Sequence, residues 1–209
     1  MTSFLDSVVA YLQRNQIKLD TGNQDGRINS IRNEDEVLKH LIKEFPSIKT
    51  PNIRCWWDFG LDSKEYELFV NIKISDFNNH AADNISAKLG MGYALTGIKN
   101  LPTSWSKFHK ILAEELKIGY DYYFLVINKN DTRDSFWTSL KRIDTLVPNG
   151  NNLPFQCGWA KNRSFSARSE VEAMKYILSV YIKSWDKKTE SYPHNLKEML
   201  LTNRIFDTE

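Results

Sequence analysis

The stretch Asp58-Phe59-Gly60-Leu61-Asp62-Ser63-Lys64-Glu65-Tyr66-Glu67-Leu68-Phe69-Val70-Asn71-Ile72-Lys73-Ile74-Ser75 decides the fold. Two runs rich in aromatic and branched residues, Arg54–Leu61 and Tyr66–Ile74, flank the polar Asp62–Glu65. That pattern predicts a β-hairpin. Side chains alternate along a strand, so Leu68, Val70, Ile72 and Ile74 share one face and Phe69, Asn71 and Lys73 the other. Trp56 and Asp58 share a face of the first strand. Closing the hairpin brings Asp58 close to Asn71 and Lys73. A carboxylate, an amide oxygen and a lysine on adjacent strands suit metal-assisted phosphodiester hydrolysis. Mg²⁺ takes oxygen ligands and keeps several waters. It acidifies a bound water and stabilises charge developing on phosphate.

The spacing Asp58…Asn71-x-Lys73 resembles the PD-(D/E)xK nucleases, whose core is such a hairpin: Asp on one strand, acid-x-Lys on the next. It differs in two places. Trp57, not proline, precedes Asp58, and Asn71 stands where the pattern has Asp or Glu. The resemblance implies an α/β fold with a mixed central β-sheet flanked by helices, restriction-endonuclease-like. It implies Mg²⁺ held by Asp58, Asn71 and a supplementary acid, with Lys73 on the attacking water and phosphate.

Upstream, Ser3–Gln16 has the helical spacing Leu5, Val8, Val9, Leu12. Asp20–Asn29 reads as a loop, with Arg27, Asn29 and Ser30 as candidate DNA contacts beside Arg32. A helix is expected over about 33–45, capped by Asn33 with Glu36 as its capping-box partner. Leu38, Leu41 and Phe45 form its buried stripe, and Glu34 points inward. Two roles for Glu34 stay open: the supplementary acid that the resemblance implies, or a favourable charge on the helix dipole.

Downstream, Asp76–His80 breaks the strand. Asp83 or Asn84 is expected to cap a helix through Lys88 and Leu95, ended by Gly97; all three polar residues are candidate DNA contacts. A helix over Trp105–Lys117 and a buried strand over Tyr120–Ile127 follow. Phe136–Leu146 is compatible with helix or strand. The turn Pro148–Asn152 leads into a run carrying Asn151, Asn152, Gln156, Lys161, Asn162 and Arg163. Such side chains pair with base edges or clamp phosphates. Helices are expected over Ser166–Asp186 and Pro193–Arg204.

At 209 residues, 41% hydrophobic, the chain has enough apolar content for a single domain with a substantial core. Within one nuclease domain, 1–209, the expected parts are a catalytic core over about 30–130, a recognition segment over 148–165 and C-terminal helices over 166–209. Lys and Arg number 28 against 26 Asp and Glu, a net charge of +2 that neither demands nor excludes nucleic acid. Cys55 and Cys157 have no zinc-ligand spacing, and Cys55 falls in an expected core strand. Two free thiols fit a reducing cytoplasm. No signal peptide or membrane-length apolar run is visible.

The resemblance, over roughly 25–163, thus implies a type II restriction endonuclease of a restriction-modification system. Such an enzyme cuts double-stranded DNA at a short palindromic site as a two-fold homodimer. A non-catalytic DNA-binding protein on the same scaffold, and an unrelated α/β protein with a solvated hairpin face, remain as alternatives.

Overall fold

A computed structural model describes residues 2–20, 26–53, 55–62, 67–78, 82–85 and 88–188, without the side chains of 2, 26–30 and 62. The expected helix over 193–204 and the hairpin turn lie outside the described residues. The chain forms two compact units. One comprises 1–80 and 123–138; the other comprises 81–122 and 139–209. The expected catalytic core, 30–130, draws on both.

In the first unit, helices α1 (Thr2–Arg14) and α2 (Gly26–Glu44) accompany strands β1 (Phe59–Asp62), β2 (Glu67–Ser75), β4 (Tyr123–Asn128) and β5 (Asp131–Ser139). The sheet order is β1-β2-β4-β5. β1 and β2 are antiparallel, with Phe59 opposite Val70 and Asp62 opposite Glu67. β2 and β4 are parallel, with Asn71 opposite Phe124 and Lys73 opposite Val126. The sheet is therefore mixed, as expected. The alternation read from β2 holds from Leu68 to Lys73: Leu68, Val70 and Ile72 are fully buried and Phe69, Asn71 and Lys73 half-buried, whereas Ile74, expected on the buried face, is half-buried against the core. The aliphatic face joins Leu5, Val8 and Leu12 of α1 and Val37 and Leu41 of α2 in one core. β4, apolar from Tyr123 to Ile127, is buried on both faces at Phe124–Ile127.

Three expectations are corrected here. The first strand begins at Phe59, not Arg54, and Cys55 is exposed. Trp56 and Trp57 pack tilted against Phe69, at 5.0 and 5.2 Å between ring centroids. Helix α2 begins at Gly26, so 26–29 are not loop and Asn33 is no cap. Asn33 is 7% exposed, and its amide closes on the Asp20 backbone, accepting from N–H at 2.7 Å and donating to C=O at 3.0 Å. Glu36 is no capping-box partner either. It pairs with Lys39 at 3.4 Å and His40 at 3.6 Å.

The second unit holds a sheet of order β3 (Asp83–Ile85), β7 (Phe155–Cys157), β6 (Leu146–Val147) and helices α3 (Lys88–Thr96), α4 (Trp105–Glu114) and α5 (Glu170–Asp186). These strands are short. Asp83 and Asn84, expected to cap a helix, instead pair with Cys157 and Gln156 across an antiparallel ladder. The ambiguous Phe136–Leu146 segment ends strand β5, then makes one tight helical turn, Leu140–Arg142. α3 ends as expected at Gly97, whose φ of +74° suits glycine alone without strain. A Cβ on Gly90 would lie 2.4 Å from the Tyr122 ring, so that glycine permits close packing. Ser169 and Glu172 form a reciprocal capping box at the start of α5. Ile177, Leu178 and Tyr181 of that helix are fully buried. Among the described residues no helix is long and apolar enough to cross a membrane.

His109 of α4 is 3% exposed and shares a 2.7 Å hydrogen bond between Nε2 and the Tyr181 hydroxyl. Burial, aided by the nearby Lys88 charge, holds its pKa down from 6.5 to about 4. Unfolded, the ring takes a proton near 6.5; folded, it does so only near 4. The unfolded state therefore binds more protons between those values, and this contribution to stability is lost as pH falls through them. It amounts to about 3 kcal/mol. Urea titrations of wild type and H109Q between pH 7 and pH 4 should diverge by that order, with the wild type steeper. Parallel curves would show that His109 does not titrate on unfolding.

Candidate active site

Asp58 sits at the mouth of the hairpin, directly before β1. Its backbone N–H donates to Val70 O at 2.9 Å. Its carboxylate turns onto β2, where Oδ2 accepts from Ile72 N–H at 2.6 Å and from Asn71 Nδ2 at 2.7 Å. The expected meeting of Asp58 and Asn71 therefore occurs. The amide serves there as a donor, which leaves Oδ1 as the Asn71 oxygen suited to a cation. Lys73 is half-buried two residues further along the same strand face.

Glu34 and Asp58, far apart in sequence, line one cavity of about 520 Å³. Its walls include Ile31, Leu38 and Ile42 of α2, with Trp57 and the exposed thiol-bearing Cys55 from the segment before β1. Two further polar residues, Asp35 and Lys39, were not singled out from the sequence. Their signal was present: Ile31, Leu38 and Ile42 recur at helical spacing beside the acidic pair Glu34-Asp35. α2 thus carries two stripes. Asn33, Val37 and Leu41 face the core, while Ile31 and Ile42, each 41% exposed, face the cavity with the acids. Leu38, expected on the core stripe, packs against the core and also lines the cavity. Lys73 does not line this cavity among the described residues.

Three carboxylates line one cavity, Glu34, Asp35 and Asp58, and their oxygens are of the hard type that Mg²⁺ takes. Among the described residues no three His, Cys, Asp or Glu side chains gather closely enough to form a ready-made cage. A Mg²⁺ site needs none, since the ion is commonly held by one or two carboxylates together with water and phosphate.

The expected DNA contacts fare unevenly. The backbone of Arg27, Asn29 and Ser30 lies in α2; their side chains lie outside the described set. In the second unit, β3 and β7 bring Asn84 and Gln156 together: Gln156 Nε2 donates to Asn84 Oδ1 at 2.9 Å. Asn149, also missed, adds a second donor to that oxygen at 3.2 Å. Asn151 and Asn152 are exposed, and their backbone N–H groups bond Asn149 Oδ1. Lys161 and Arg163 are exposed on and after a short helical turn, and Asp83 is half-buried at the start of β3.

Two of these side chains are engaged within the fold. Asn162 is 1% exposed; its amide bonds Thr145 N–H and C=O, Gly158 C=O and the Cys157 thiol. It is a structural tie. Lys88 donates to the Thr103 carbonyl and lies 4.0 Å from the centre of the Trp105 ring, and burial lowers its pKa. Its ammonium is committed within the fold. Comparison with protein-family models finds no match, and comparison with curated proteins finds no relative.

The Asp58–Asn71 contact yields a direct test. Asn71→Asp puts a carboxylate where the amide donor now stands, 2.7 Å from Asp58 Oδ2. Without a cation the repulsion should destabilise the protein by about 1–3 kcal/mol. Millimolar Mg²⁺ should restore much of that loss while leaving the wild-type melting temperature little changed. Identical melting of both proteins, with and without Mg²⁺, would show that no cation bridges these positions.

Proposed function

We propose that the chain is a Mg²⁺-dependent endonuclease acting on double-stranded DNA, a variant of the PD-(D/E)xK restriction enzymes with Asn in place of the second acid, working as a homodimer on a palindromic site. The observation that carries this reading is the shared cavity. Asp58, fixed on the hairpin, and Glu34, on the preceding helix, line the same space. Their residue types suit Mg²⁺, with Asn71 Oδ1 as a neutral oxygen beside them.

Asp58 would hold the ion with an orientation set in advance by its two N–H donors. Glu34 supplies charge that Asn71 does not. An ion held by Asp58 and Glu34 would supply an acidified water and positive charge against that developing on the scissile phosphate. Lys73, on the strand face it shares with Asn71, would supply positive charge to that phosphate.

A second reading has its own support. Asn71 directs its N–H₂ at Asp58, so the pair carries one negative charge where the usual motif carries two. That favours a DNA-binding protein on a nuclease scaffold.

Incubation of purified protein with plasmid DNA in Mg²⁺ or EDTA separates the two. The nuclease reading expects discrete fragments in Mg²⁺ alone. Asp58→Ala, Glu34→Gln and Lys73→Ala should each lower cleavage by about 10²–10³-fold, with melting temperatures checked alongside. Glu36→Gln should cut at the wild-type rate, because Glu36 pairs with Lys39 and His40 on the helix surface and does not line the cavity. DNA retention without any cleavage would sink the nuclease reading and leave the binding one.

A further inference from the structure

The exposed row across the second unit's sheet has a fixed hydrogen-bonding polarity. β3, β7 and β6 place Asn84, Gln156 and Val147 opposite one another. Their strand neighbours Ile85, Phe155, Cys157 and Leu146 are buried, so the three share the outer face. Backbone N–H groups can only donate, so those of Asn151 and Asn152, at 3.0 and 3.4 Å, dictate which end of the Asn149 amide is oxygen. Asn149 Nδ2 must then point at Asn84, which must answer with Oδ1. Gln156 Nε2 meets the same oxygen. Asn84 Nδ2 is thereby turned away as a donor, and Gln156 Oε1 as an acceptor. Val147, 37% exposed, adds an apolar surface beside them.

A donor next to an acceptor matches one base edge in the DNA major groove. Adenine offers the acceptor N7 beside the donor N6. Guanine offers two acceptors there, cytosine a donor and thymine an acceptor. The methyl group that selects an apolar side chain belongs to thymine, adenine's partner. We propose that this row reads an A·T base pair in the major groove, with Asn84 and Gln156 on adenine and Val147 on the thymine methyl. Asn149 is the positioning residue that sets the polarity of the pair. The inference rests on the reading of the chain as a double-stranded DNA binder.

The test is selection of bound duplexes from a randomised pool by the full chain in EDTA, where cleavage plays no part. The bound sequences should share a required A·T pair. Replacing its adenine with 7-deazaadenine, which lacks N7, should weaken wild-type binding by about 5–150-fold, and replacing its thymine with uracil should weaken it less. Q156L should bind the normal and 7-deaza duplexes alike, and V147A should be indifferent to uracil. Should Q156L fail to fold, the modified duplexes on the wild type decide alone. A selected site with no required A·T pair, or one indifferent to the loss of N7, overturns the inference; if plasmid is still cut in Mg²⁺, the nuclease reading survives that failure. Specific A·T binding without cleavage does the reverse. Absence of binding to any duplex sinks both.

Discussion

One oxygen atom sets the geometry of the candidate site. Asp58 Oδ2 takes two N–H donors from β2, one from the Ile72 backbone and one from the Asn71 side chain. Hydrogen bonds to a charged acceptor contribute about 1.5–3 kcal/mol each. With the Asp58 N–H on Val70 O, they lock the mouth of the hairpin in a single register. Slipping a strand by one residue would carry Asn71 and Lys73 to the core face and Ile72 to solvent. The register that buries Leu68, Val70 and Ile72 is therefore the register that assembles the polar face. Core packing and site geometry are one constraint here, and neither can be altered alone.

Helix α2 meets that constraint from the other side. Its Val37–Leu41 stripe is buried against the aliphatic face of the sheet, and Asn33, one turn earlier, ties the helix to Asp20. Anchoring one stripe in the core fixes the rotation of the whole helix. The second stripe, with Glu34 and Asp35 among exposed isoleucines, then has no choice but to face the cavity. The acids there are held by packing one stripe away, which costs no buried charge.

The sequence was most informative where periodicity acts alone. The alternation in β2 and the buried run of β4 follow from the side-chain period and apolar content, and both are found. The reading failed where long-range partners decide. Asn33 resembles a helix cap because its amide prefers local backbone groups, yet its partner is the remote Asp20. Asp83-Asn84 resembles a helix start for the same reason, but the ladder with Gln156 and Cys157 claims it. Nothing local in the sequence marks Asn162 as buried. Polar residues with several possible partners are those whose role a single chain segment cannot specify. The Asp58–Asn71 pairing was legible because a hairpin makes distant residues local.

The parallel pairing of β2 with β4 also shapes how the chain comes together. Val70 to Ser75 pair with Tyr123 to Asn128, and the whole of 81–122 lies between them in sequence. A ribosome delivers the hairpin first. Its inner strand must wait with an open row of backbone donors and acceptors until the later strand emerges. Such an edge is a template for wrong partners, another nascent chain included. The same interleaving means that neither unit corresponds to one continuous piece of gene. Cutting the chain between them yields no independently complete half, and expression temperature and chaperone supply should govern the yield of active protein more strongly than for a chain built of sequential domains.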